Sequence, residues 1–116
     1  MSEFHEPPEE LEESTRSYRR ALNSMMEELE AIDWYQQRID ATKDKQLRAI
    51  LNHNRDEEIE HACMTLEWMR RNMDGWDEQL RTYLFTEGEI TELESAAESE
   101  DSSNAEKLNI GKIDPK

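Results

Sequence analysis

Between Pro8 and about Asp40 the sequence holds neither glycine nor proline, while Leu11, Tyr18, Leu22, Met25, Met26, Leu29 and Ile32 recur at helical spacing. The acids Glu9, Glu10, Glu12 and Glu13 after Pro7-Pro8 suit a helix N-terminus, so this stretch predicts one long helix. The pattern lapses at Ala41-Thr42-Lys43, and Asp44 is a suitable N-cap for a second helix running to about Asn72. Leu47, Ile50, Leu51, Trp68 and Met69 form the second stripe. Asp74-Gly75 reads as a turn, and Trp76, Leu80, Tyr83 and Leu84 have the spacing of a short third helix. Residues 92–106, ELESAAESEDSSNAE, lack large apolar residues after Leu93 and read as a disordered acidic linker. The expected organisation is therefore a disordered segment 1–8, a helical domain 9–91, that linker, and a terminal peptide 107–116. The fold class is all-α. Two long antiparallel helices and a short one cannot enclose a core, so the chain is expected to oligomerise.

Charge narrows the partners. The chain has 29 acidic and 14 basic residues and a formal charge of −15, a field that repels polyanions and disfavours nucleic acid and anionic membranes. Cations are the natural small partners. No run of 18 apolar residues is present, and the acidic N-terminus lacks the apolar core of a secretory signal. Cys63 is the only cysteine, which fits a reducing cytoplasm. Phosphate-binding glycine loops, nucleophile elbows and zinc-type cysteine pairs are all missing from the sequence.

The informative anomaly is polar. On a wheel of about 100° per residue, Asn54, Glu58, His61 and Thr65 fall within the second helix's apolar stripe. A carboxylate buried without a partner costs several kcal/mol or becomes neutral, so Glu58 there demands an explanation. Its neighbour one turn on is His61, a Glu-x-x-His pair. In the first helix, Glu28 lands at the stripe's border beside Ile32 and Ile39, with Glu27 and Glu30 projecting outward. Di-iron carboxylate bundles take one Glu from each of two helices and Glu-x-x-His from each of two others. This chain carries half of that set, and two copies about a two-fold axis would supply four carboxylates and two imidazoles. Oxygen-rich ligands with one imidazole per metal suit iron or manganese.

These residues resemble a known family, the encapsulated ferritins, which are ferritin-like cargo of encapsulin nanocompartments. The similarity spans roughly residues 18–90 and is dense in MMEELEAIDWYQQR (25–38), HNRDEEIEHACMTLEWMRR (53–71) and LRTYLFTEG (80–88). It implies a two-helix half-ferritin whose four-helix bundle and ferroxidase centre form between protomers of an annular decamer. By position, Glu28, Glu58 and His61 match iron ligands of a di-iron centre, and Glu27 and Glu30 match an outer metal-attraction site. Trp34 and Tyr35 match aromatics beside the centre. The terminal KLNIGKI resembles peptides that dock cargo inside the shell, with Leu108, Ile110 and Ile113 as anchors around Gly111. Lys112 and Ile113 depart from the usual pattern, and Asp114-Pro115-Lys116 follows.

The expected activity is oxidation of Fe(II) to Fe(III) by dioxygen, feeding storage inside a cytoplasmic encapsulin compartment. Two other readings stay open: a non-catalytic helical interaction module in which Glu58 and His61 fix register, and a di-iron peroxide-consuming protein. His5 and His53 are read as surface residues, and the methionines as packing.

Overall fold

Long runs of good helix formers, punctuated at few places, leave the backbone little alternative to helix. The computed structural model describes residues 4–107. A 3₁₀ turn at Pro8–Glu10 is followed by helices α1 (Glu13–Ala41), α2 (Lys45–Asn72), α3 (Trp76–Tyr83) and α4 (Ile90–Lys107). The described residues are helical or irregular, with no strand. None of the helices is long and apolar enough to cross a membrane, among the described residues. The chain divides after Asp74 into two units.

In the first unit α1 and α2 form a helical hairpin. The break at Ala41-Thr42-Lys43 lies where expected, and Asp44 caps α2 by accepting a hydrogen bond from the Leu47 amide at 2.8 Å. Arg55 Nη1 donates to Gln36 Oε1 at 2.8 Å near the loop, and Thr65 Oγ1 donates to Glu28 Oε1 at 3.4 Å further along. As the α1 number falls from 36 to 28 the α2 number rises from 55 to 65, which is the register of an antiparallel pair. At the C-terminal end of α2, Glu67 accepts from Arg70 at 2.8 Å and from Arg71 at 2.6 Å. Those bonds hold the Glu67 carboxyl at about 2, below its ordinary 4.5. The pairing therefore persists above 4.5 and is lost only as pH falls through about 2. An exposed pair of this kind adds little stability.

The packed sides of the hairpin correct the sequence reading. Among the described residues only Ile39, Ala62 and Met69 are buried. On α1 the side facing α2 carries Ile32, Ile39 and Glu28, whereas Met26 and Leu29 of the expected stripe remain exposed. On α2 the packed edge carries Leu51, Ala62 and Met69, and Leu47, Ile50, Met64 and Trp68 are exposed. Each helix has an apolar surface wider than one partner covers, so periodicity alone locates the stripe but not the half that is buried within a chain. Glu58 and His61 accordingly lie at the margin and not in a core, with side chains 26% and 46% exposed.

The N-terminal segment, expected to be disordered through residue 8, is tied down from Phe4 onward. Arg19 places its guanidinium 4.2 Å from the Phe4 ring centre, and Arg16 Nη2 donates to the Pro8 carbonyl at 2.7 Å. Helix α1 begins at Glu13 because Pro8–Glu10 forms its own turn and Leu11 is extended.

In the second unit, Gly75 caps α3 with φ of +93°, a left-handed conformation that glycine adopts without steric cost. The third helix forms as the spacing of Trp76, Leu80 and Tyr83 predicts. Residues 92–106, expected to be disordered, instead belong to α4. The stretch contains Ala96-Ala97 and neither glycine nor proline, and Glu89 begins it by accepting from the Thr91 amide at 3.0 Å and hydroxyl at 2.6 Å. Helix propensity and a start signal decide this stretch, whereas low apolar content alone read as disorder. The anchors Leu108, Ile110, Gly111 and Ile113 lie outside the described residues.

Candidate metal centre

Two helices bring the candidate ligands to one seam. Positions 58, 61 and 65 of α2 are one turn apart, so Glu58, His61 and Thr65 form a ladder along its edge. His61 Nδ1 lies 3.7 Å from Glu58 Oε1. Across the seam, Glu28 is half-buried on α1, and its Oε1 accepts from Thr65 Oγ1 at 3.4 Å. The same hydroxyl lies 3.2 Å from the His61 carbonyl oxygen. Thr65 thus links the carboxylate of α1 to the ladder of α2. Its place on the apolar stripe was legible, but its role as the hydroxyl partner of Glu28 needed the pairing register.

The candidate ligands do not converge within one chain. Among the described residues no three Asp, Glu, His or Cys side chains converge to hold a metal ion. Glu58 and His61 meet each other, and Glu28 meets Thr65, but the three do not close into one ligand cluster. The seam borders the exposed side chains of Met64 and Trp68, and Leu47 and Ile50 are exposed further along α2. These are carboxylate and imidazole donors on an edge that a single protomer leaves open, a donor set suited to iron or manganese.

The remaining predicted residues surround this edge unevenly. Glu27 and Glu30 are exposed on α1, on the side away from its packed face. Trp34 is 49% exposed. Tyr35 is half-buried, seven residues from Glu28 on the same helix face, and Arg38 lies 5.3 Å from its ring centre. Beside the ladder, a shallow hollow runs between Ser17, Arg20 and Ser24 of α1 and Met64, Thr65 and Trp68 of α2.

Comparison with known proteins covers most of this architecture. A family model described as EncFtn-like matches residues 3–87. The "Ferritin-like protein" of Thermotoga maritima is 54% identical over 111 residues, 96% of this chain and 97% of that protein. The "Encapsulated ferritin-like protein" of Rhodospirillum rubrum is 65% identical over 92 residues, 79% of this chain and 66% of that protein. Among solved structures, protein ne0167 from Nitrosomonas europaea superposes with a TM-score of 0.73 at 54% identity, covering 77% of this chain and 98% of that one. The family match runs through both long helices and α3, the same span that holds Glu28, Glu58, His61 and Thr65, and the chain belongs to the EncFtn-like family, the encapsulated ferritins.

Proposed function

We propose that this chain is a ferroxidase that oxidises Fe(II) with dioxygen at a di-iron centre completed by a second copy, and that it feeds iron storage inside an encapsulin shell. The observation that carries the reading is the meeting of Glu28 with the Glu58–His61 ladder, through Thr65, on an edge that one chain leaves open. Family membership supports the chemistry, and the name of the Rhodospirillum rubrum relative, an encapsulated ferritin-like protein, supports the shell. Each chain contributes two carboxylates and one imidazole, and two copies contribute the four carboxylates and two imidazoles that a di-iron bundle uses.

In this account Glu28 and Glu58 hold Fe(II) and favour its oxidation, because carboxylate attraction grows with cation charge. His61 offers the imidazole nitrogen lone pair that completes this chain's share of the donor set. Thr65 orients Glu28, and Tyr35 lies two turns away on the same helix face. Dioxygen takes the electrons, and Fe(III) departs for mineral storage. Anaerobic titration with Fe(II) followed by air, with oxygen consumption recorded, tests the activity. Oxidation in fixed stoichiometry is expected. An interaction module would give none, and a peroxide-consuming centre would react faster with hydrogen peroxide than with dioxygen.

Glu27 and Glu30 guide metal toward the centre in this reading. Both are exposed and acidic, so they attract hydrated cations through forces that salt screens over about 8–10 Å. Changing both to Ala is expected to slow Fe(II) uptake severalfold at low ionic strength and to flatten its salt dependence, while two irons per dimer still bind at saturation. Stopped-flow measurements across a salt series check this. Loss of the bound irons themselves would reassign the two residues.

The terminal peptide acts in docking and not in oxidation. Its Leu108, Ile110 and Ile113 are apolar residues grouped around Gly111 at the end of an acidic segment, a pattern suited to occupying a groove. Truncation from Lys107 is expected to spare Fe(II) oxidation and to abolish loading when the chain is co-expressed with an encapsulin. Cargo that co-purifies equally without the peptide would contradict the assignment.

A further inference from the structure

At the start of α1, in a chain of charge −15, three arginines gather around one hollow of about 510 Å³. Its lining is Phe4, Pro8, Glu9, Arg16, Arg19, Arg20 and Asn23. The positions 16, 19, 20 and 23 have i, i+3, i+4, i+7 spacing, which places them on one helix face. Like charges so close repel, and the fold does little to relieve them. Arg16 is bound to the neutral Pro8 carbonyl at 2.7 Å, and Arg19 lies 4.2 Å from the neutral Phe4 ring centre. Arg20 meets Glu13 at 3.5 Å, with both side chains at least 70% exposed, so that pairing is weak. Among the described residues, Glu9 is the one carboxylate lining the hollow against three guanidinium groups.

We propose that this hollow binds a small oxyanion of the phosphate class. Guanidinium groups present several N–H donors in a planar fork that matches phosphate oxygens, and Asn23 adds an amide. The returning segment from Phe4 to Pro8 fixes two of the three arginines before any anion arrives, so less side-chain freedom is lost on binding. The net charge of the chain repels long anionic polymers, whereas a single small anion meets three guanidinium groups against the one carboxylate of Glu9 in the lining. The hollow shares Arg20 with the hollow beside Thr65 but is lined by none of the proposed metal ligands, and it does not depend on the ferroxidase reading.

Titration of the full chain with inorganic phosphate in the presence of EDTA, followed by calorimetry and by phosphorus NMR, tests this. Saturable binding of one phosphate per chain is expected, with sulfate competing and chloride competing poorly. The double variant R16Q/R19Q, and separately R20Q, should weaken binding by about tenfold or more, because each removes a charged fork. Circular dichroism checks that both stay helical, and R20Q leaves the Phe4 and Pro8 contacts in place. His61→Ala should bind phosphate as the unaltered chain does. Phosphate binding that disappears with EDTA would belong to metal and overturn the proposal. So would an absence of saturation at millimolar phosphate, or R20Q and R16Q/R19Q chains that bind normally.

Discussion

Glu58→Ala and His61→Ala are each expected to slow Fe(II) oxidation by roughly a hundredfold or more while leaving the helical hairpin folded. Loss of partners that merely orient metal ligands costs about 10–100-fold, and loss of a ligand should cost at least as much. The fold is spared because both side chains lie at the edge of the hairpin, 26% and 46% exposed, so truncation opens no cavity around Ala62 or Met69. Thr65→Val provides a graded companion. It keeps the shape and removes the hydroxyl donated to Glu28 at 3.4 Å, so a loss of several-fold to about tenfold is expected. Initial rates of Fe(III) absorbance after aeration, with helicity measured on the same samples, check all three. Normal oxidation by the Glu58→Ala chain would remove that carboxylate from the centre.

Metal and assembly should be coupled, and the effect is expected to be large. Leu47, Ile50, Met64 and Trp68 are 38–58% exposed in the protomer, and each has about 1 kcal/mol to gain when a second copy covers it. That gain is opposed by carboxylates brought together at the same edge, which repel while no cation lies between them. A metal that binds only the assembled state stabilises it by about 2.7 kcal/mol at a hundredfold excess over its dissociation constant, or roughly a hundredfold in association. Fe(II) is therefore expected to convert small species into larger ones. Glu58→Ala relieves the repulsion and should assemble more readily than the unaltered chain without metal, yet respond little to Fe(II). Sedimentation velocity with and without anaerobic Fe(II) measures both effects. Identical distributions in the two conditions would break the link.

What the sequence revealed depended on the range of each interaction. The start of α2 was legible because an N-cap is local: Asp44 and the Leu47 amide are three residues apart. The turn at Gly75 was legible for the same reason. The buried half of each stripe was not, since Leu47 and Met69 look alike on a wheel and only the partner helix distinguishes 46% exposure from none. The ladder of Glu58 and His61 stood out as polar residues on an apolar stripe, whereas its link to Glu28 through Thr65 depended on how α1 and α2 align. Helix α4 has few apolar residues to mark it in the sequence, although Ala96-Ala97 and the Glu89–Thr91 start signal favour helix. The packing of Arg19 on Phe4 spans 15 residues and left no periodic trace.

The claim that each chain holds half of a centre is tested most directly by counting iron against mass. Chains loaded anaerobically with Fe(II) would be separated by size-exclusion chromatography, with light scattering and iron content measured on every fraction. Two irons per pair of chains are expected in species of dimer mass or larger, with no tightly held iron in fractions of the 13.8 kDa single chain. A 13.8 kDa species that retains two irons would contradict a centre shared between copies.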